Sequence, residues 1–273
     1  MSRSLLSRSL EPLVAISWAI FLVWSVWLAA VWVIGIDQKF LGLPMSADTW
    51  GPGAVGVLDE TPEPRYAGLK RAVLLLAESA ELAWLALALI QLHLSVTSIN
   101  GVNTARAWMG IGLGGAWLLG LLNRATGLPF GWMYFTPVLG SQLMGVPLGW
   151  VLLWGVLVIG ARESMLRFTP RISHLALSFV TAIVVLVTIV NLAPIAKFDV
   201  RGWWGWYTPD TRQPVAAPWW FWPAWLIVAW LLAFLMRERT VATGVKQRSL
   251  RPLLVLLTLN VAVLLTHARS LWR

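Results

Sequence analysis

Seven apolar stretches alternate with polar connectors along the chain, at about 13–36, 72–95, 106–123, 138–161, 172–196, 218–236 and 252–268. Each meets or approaches the ~20 residues that a helix needs to cross a ~30 Å hydrocarbon core. The pattern predicts an all-α, polytopic transmembrane bundle of about seven helices, a single integral membrane domain over residues 1–273. Leu13–Ile36 covers 24 residues. A cleavable signal peptide has an apolar core of only roughly 7–15 residues, so this stretch is read as a retained first helix. Gly110, Gly112, Gly114 and Gly115 in the third stretch permit close helix–helix approach. Pro147 in the fourth predicts a kink or a re-entrant start.

The first connector, 37–71, holds Asp37, Asp48, Asp59, Glu60 and Glu63 among prolines and glycines, and is expected to cap one face. The third (124–137) and the fifth (197–217) are rich in aromatic residues, and the sixth (237–251) in basic ones. An N-terminus-inside orientation is favoured, because most connector acids then fall on the opposite side. The odd-numbered connectors would share that side.

Composition narrows the class. Hydrophobic residues make up 58% and charged residues 12%, against about 25% charged in an ordinary soluble domain. Mean hydropathy is +0.73. These values exclude a soluble globular enzyme, a disordered tail and a disulfide scaffold. The net charge of +9 sits mainly in connectors, where it meets lipid headgroups; no nucleic-acid partner is expected. The chain has no cysteine, which excludes thiol catalysis, Fe–S clusters and Cys-based zinc sites. His93, His174 and His267 have no metal-binding spacing, and no metal site is expected.

Chemistry-bearing residues are few. Glu78 and Glu81 are three apart and share a helix face within the second stretch. A carboxylate at mid-helix costs at least ~2.5 kcal/mol in a bilayer, and two so close do not readily ionise together. One protonated acid inside an apolar site is therefore expected; a structural pair near the interface is the plainer alternative. Twenty tryptophans stand out. Trp203, Trp204 and Trp206 crowd into one loop of the fifth connector, and Trp219, Trp220, Trp222 and Trp225 into a second, read as a loop at the start of the sixth stretch. They could wall a conjugated ligand, stabilise a cation by about 0.5–2 kcal/mol per face, or form an interfacial girdle. Asp199 lies two residues before Arg201 and could be an ordinary surface pair. Glu163 is expected to be solvated or paired with a nearby arginine. Asn123, Asn191 and Asn260 are expected to form interhelical hydrogen bonds.

The stretch 126–154 reads TGLPFGWMYFTPVLGSQLMGVPLGWVLLW. With Thr126, Gly127, Pro129, Phe130, Gly131, Tyr134, Thr136, Leu139, Gly140, Gly145, Val146, Pro147, Leu148 and Trp154, it resembles a carotenoid biosynthesis family of membrane enzymes. That family includes the γ-carotene and lycopene 1,2-hydratases and the bisanhydrobacterioruberin hydratase. FDVRGWWGW at 198–206 is a second, weaker likeness. The family carries a glutamate in the helix before the turn, whereas Leu118–Arg124 here holds no carboxylate.

The resemblance implies acid-catalysed addition of water to the C1=C2 double bond of an acyclic carotenoid end group, with no metal or redox cofactor. Partners would be an acyclic carotenoid or other polyisoprenoid lipid, and membrane lipids. Glu78 or Glu81 is the expected acid and Asp199 the water-orienting base. Thr126, Pro129, Phe130, Tyr134, Trp203, Trp204 and Trp206 are the expected substrate-binding residues. A bacterial cytoplasmic membrane is the expected location. The competing reading is a non-catalytic carotenoid- or lipid-binding subunit of a membrane complex. A small transporter is a third reading, against which stands the lack of an evident pair of broken helices.

Overall fold

The computed structural model describes residues 3–35, 72–73, 75–77, 79–169, 171–196, 203–211, 213–237 and 249–271. It is an all-α bundle. α1 covers Arg3–Ala30 and continues as a π-helical turn over Val31–Gly35. α2 is Ala80–Asn100, and α3 is Val102–Thr126 with a π-helical turn at Gly110–Gly114. α4 is Leu148–Phe168, α5 is His174–Ala196, α6 is Phe221–Leu235 and α7 is Arg251–Leu271. Among the described residues, six of these are long and apolar enough to cross a membrane, which marks an integral membrane protein. The exception is α6, whose 15 residues reach about 22 Å at 1.5 Å per residue. Pro223 lies in its first turn, where the ring costs no intrahelical hydrogen bond.

One connector and one apolar stretch fold differently from their pattern. The second connector shrinks to Gly101 (φ +86°), because the helices on both sides run on through polar residues. The fourth stretch is helical only from Leu148 onward. Its first ten residues form a 3-10 turn (Pro137–Leu139) and a hairpin of β2 (Gln142–Leu143) with β3 (Val146–Pro147). Pro147 therefore precedes α4, at φ −71° and ψ 143°, and does not kink it.

α4 is the central helix. Its run Leu148–Ala161 carries no charged residue, and 78% of its spanning window is buried. α2, α3, α5 and α7 pack around it. Glycines set the close approaches: Gly112 of α3 lies so near α4 that a Cβ there would stand 3.5 Å from the Gly155 Cα. α5 and α7 are joined by Asn191 Nδ2, which donates to Asn260 Oδ1 at 2.8 Å, as the sequence predicts.

At the end of the bundle bearing the even-numbered connectors, Glu163 is not the solvated residue that was one of its two expectations: it and its neighbour Arg162 are both buried within α4. Arg162 Nη1 donates to Ala233 O at 3.0 Å, and its guanidinium lies 5.2 Å from the Trp108 ring centroid. Asn100 Nδ2 donates to Glu163 Oε1 at 2.9 Å. His174 bridges Arg162 Nη2 (3.2 Å) and Phe234 O (2.8 Å). Buried charges persist only when such partners satisfy them, and these also complete the carbonyl end of α6.

Interhelical amide bonds in a bilayer are worth about 0.6–2 kcal/mol. A double-mutant cycle of Asn191→Ala and Asn260→Ala, read by unfolding in mixed micelles, is expected to return a coupling energy in that range. A coupling near zero would show that the pair does not hold α5 to α7.

Candidate functional site

The third and fifth connectors meet at one end of the bundle. β1 (Met133–Phe135) pairs antiparallel with β4 (Trp204–Tyr207), in the register Met133↔Trp206, Tyr134↔Gly205 and Phe135↔Trp204. β5 (Pro214–Val215) extends this small sheet. The two stretches that carry the family resemblance, far apart in the chain, are thus strand neighbours.

The turn before β1 is built from within. Gly127 ends α3 in the left-handed region (φ +73°) and donates its N–H to Asn123 O. Asn123 is buried; its Oδ1 accepts from Phe130 N at 2.8 Å and its Nδ2 donates to Gly131 O at 2.9 Å. The expected interhelical role for Asn123 gives way to this local one. Thr126 is exposed, donates to Leu122 O and accepts from Leu128 N, so its hydroxyl completes the helix end. Pro129, half-buried, follows Leu128 through a cis peptide bond.

The turn drives Phe130 into an aromatic core. Its ring centroid lies 5.6 Å from Trp150, 5.8 Å from Trp154, 5.6 Å from Trp225 and 6.2 Å from Phe221. Trp154 and Trp225 stack at 3.9 Å and 6°. Trp206 Nε1 donates to Phe130 O at 2.9 Å and ties β4 to the turn. Trp203, Trp204 and Trp206 are all buried, with their faces largely against other rings. Trp222 and Trp225, read as loop residues, belong to α6. Trp150 makes edge-to-face pairs with Trp154 (76°), Trp204 (84°) and Trp225 (73°), a geometry that sets ring edges against π faces.

Glu81 sits at the far end of this aromatic run. It lies in the first turn of α2, 1% exposed, and its Oε1 accepts from Trp32 Nε1 at 2.9 Å. Trp32 is held by the π-helical turn that extends α1, a local form often found at functional sites. Ring contacts continue from Trp32 to Trp203 (5.9 Å), Trp204 (6.0 Å), Trp150 (5.6 Å) and Trp225 (5.4 Å). Trp24 and Trp27 anchor α1 beside the same site by donating to Ala80 O and Leu76 O. Gly140 (φ +78°) brings the 3-10 turn against α2, since a Cβ there would stand 2.8 Å from Leu82.

Glu78 and Asp199 lie outside the described residues. The structure therefore brings Glu81, Phe130, Trp203, Trp204 and Trp206 into one aromatic continuum, and places Thr126 at its edge. Tyr134 is half-buried, 6.5 Å from the Tyr207 ring. The roles of Trp32 and Trp150 are not read from sequence. Trp150 and Trp154, four apart, share a face of α4 and carried a usable signal; Trp32, in the apolar first stretch, carried none. Among the described residues, no group of three or more His, Asp or Glu could hold a metal ion.

Asn123→Ala leaves the buried Phe130 N–H without its acceptor and should lower stability by about 1–3 kcal/mol, read as a drop in melting temperature. Burial raises the Tyr134 phenol above its ordinary value of 10.0. The folded state favours the neutral phenol, so its contribution is full below pH 10.0 and is lost as pH rises through the folded value. Tyr134→Phe should remove that part of the alkaline destabilisation in a melting series between pH 9 and about 11.

Comparison of the chain with protein-family models, curated proteins and solved structures returns no match.

Proposed function

We propose that the protein is a membrane-embedded enzyme that adds water to the C1=C2 double bond of an acyclic carotenoid or related polyisoprenoid end group. The observation that carries this reading is Glu81: a buried carboxyl, held by an indole N–H, at the head of a run of tryptophan rings. The family likeness at 126–154 and 198–206 supports the substrate class. A bacterial cytoplasmic membrane is the setting this reading carries.

In the proposed reaction the Glu81 carboxylic acid donates its proton to C2, and the π electrons of the alkene form the new C–H bond. A tertiary cation remains at C1, next to π faces that attract it without capturing it. Water adds to C1, and the surplus proton of the resulting oxonium returns to the carboxylate. The acid is regenerated and no cofactor is consumed. As the proton leaves, negative charge develops on Glu81. The Trp32 N–H already donates to that carboxyl, so it acts most strongly as the transition state forms. Asp199 is the proposed base that orients the attacking water by accepting a hydrogen bond from it, the proton itself passing to Glu81, and Glu78, three residues earlier in the chain, is the proposed second carboxyl.

A second reading, a non-catalytic pigment- or lipid-binding subunit, is favoured by one observation. The aromatic rings are packed on one another, while an apolar groove of about 540 Å³ opens between α5 and α6, lined by Leu175, Phe179, Leu226, Ile227 and Trp230 among others.

Expression in a lycopene-producing host separates the two. The enzyme reading expects pigment heavier by one water, and its loss in Glu81→Gln. Full hydration by both Glu78→Gln and Glu81→Gln would overturn the acid assignment. Unchanged pigment that co-purifies with the protein would establish the binding reading instead.

A further inference from the structure

α2 carries a polar site that the aromatic continuum does not use. Gln91 is 0% exposed, and among the described residues neither its Oε1 nor its Nε2 has a hydrogen-bond partner. Ser95, one turn further on and 3% exposed, likewise has an unpartnered Oγ. Residues four apart on a helix are side-by-side neighbours. Ser95 is also unlike most other intramembrane hydroxyls in this protein. Ser25, Ser164, Ser178, Thr181, Thr188 and Thr266 each donate back to the carbonyl four residues earlier. Ser95 does not, so its hydroxyl is left for another acceptor or donor.

The depth of the site excludes ordinary solvation. Gln91 is midway along the 21-residue α2, about 15 Å from either end at 1.5 Å per residue. Acyl chains cannot satisfy an amide there. A buried donor or acceptor left unmade costs about 1–3 kcal/mol. An uncharged amide and a hydroxyl together present donors and acceptors of both kinds. That set suits a small neutral molecule able to donate and accept, and does not suit an ion.

We propose that Gln91 and Ser95 hold one or two bound water molecules at the middle of α2. The site lies between Glu81 at one end of the helix and the Asn100–Glu163 pair at the other. Trp84, Leu85 and Ala88 separate it from Glu81 as a buried apolar stretch. In a hydrating enzyme it would be the reservoir from which the reacting water is drawn. That use rests on the proposed function; the water site itself does not.

X-ray hydroxyl-radical footprinting tests it, because radicals formed from trapped water oxidise the side chains beside it. With the full-length protein in lipid nanodiscs, Leu92 should be oxidised several-fold above the similarly buried Val185 and Ile189 of α5. Gln91→Leu should bring Leu92 down to the level of those two, and Ser95→Ala should lower it part of the way. Wild-type Leu92 at the background level would overturn the proposal, with no variant needed. Undiminished labelling of Leu92 in the Gln91→Leu, Ser95→Ala double variant would also overturn it. If labelling is lost but carotenoid hydration keeps its wild-type rate, the reservoir role is overturned and the water site stands. Absence of hydration by the wild-type protein counts against the proposed function and leaves the footprint as the measure of the site.

Discussion

Acyl chains offer no hydrogen bonds, so every polar group inside the bilayer must find its partner within the protein or in water that the protein itself holds. Much of this structure follows from that constraint. Backbone groups are satisfied in helices. Asn191 and Asn260 satisfy each other, and most buried hydroxyls turn back to carbonyls of their own helix. Arg162 and His174 complete the carbonyl end of α6, where a helix of only 15 residues ends inside the bundle.

The same constraint gives weight to the exceptions. Glu81 is buried beside an indole N–H in the first turn of α2. Gln91 and Ser95, by contrast, carry no charge, and their unmet hydrogen bonds suit a neutral guest.

The resemblance motif has a structural meaning of its own. Its turn is organised by Asn123, a residue just outside the quoted motif. Its phenylalanine reaches the centre of the aromatic core, and its strand pairs with the Trp-rich fifth connector. Gly131, at φ +88°, leaves room for Pro218, which a Cβ would approach to 2.8 Å. The pattern therefore encodes a packed junction between two connectors. A chemical role in that junction rests on Glu81, which the motif does not contain.

Residue pattern by itself determined the bundle: apolar runs of about 20 residues cannot remain in water, and a bilayer admits few folds for them. It also pointed to close approach by glycines of α3, which Gly112 and Gly115 make, and to interhelical bonds from Asn191 and Asn260, because glycine permits close approach and a membrane amide needs a partner; that the two asparagines bond each other came from the packing. It did not determine where Arg162 and Glu163 lie, since a charge near the end of an apolar run reads alike whether it leaves for solvent or turns inward. Nor did it join Trp32 to Glu81, or Met133 to Trp206, pairs separated by 49 residues and by 73. Those contacts depend on which helix faces meet, and the hydrophobic period sets the faces of each helix without setting its neighbours. Only the tertiary packing, which must close every hydrogen bond at once, decided them.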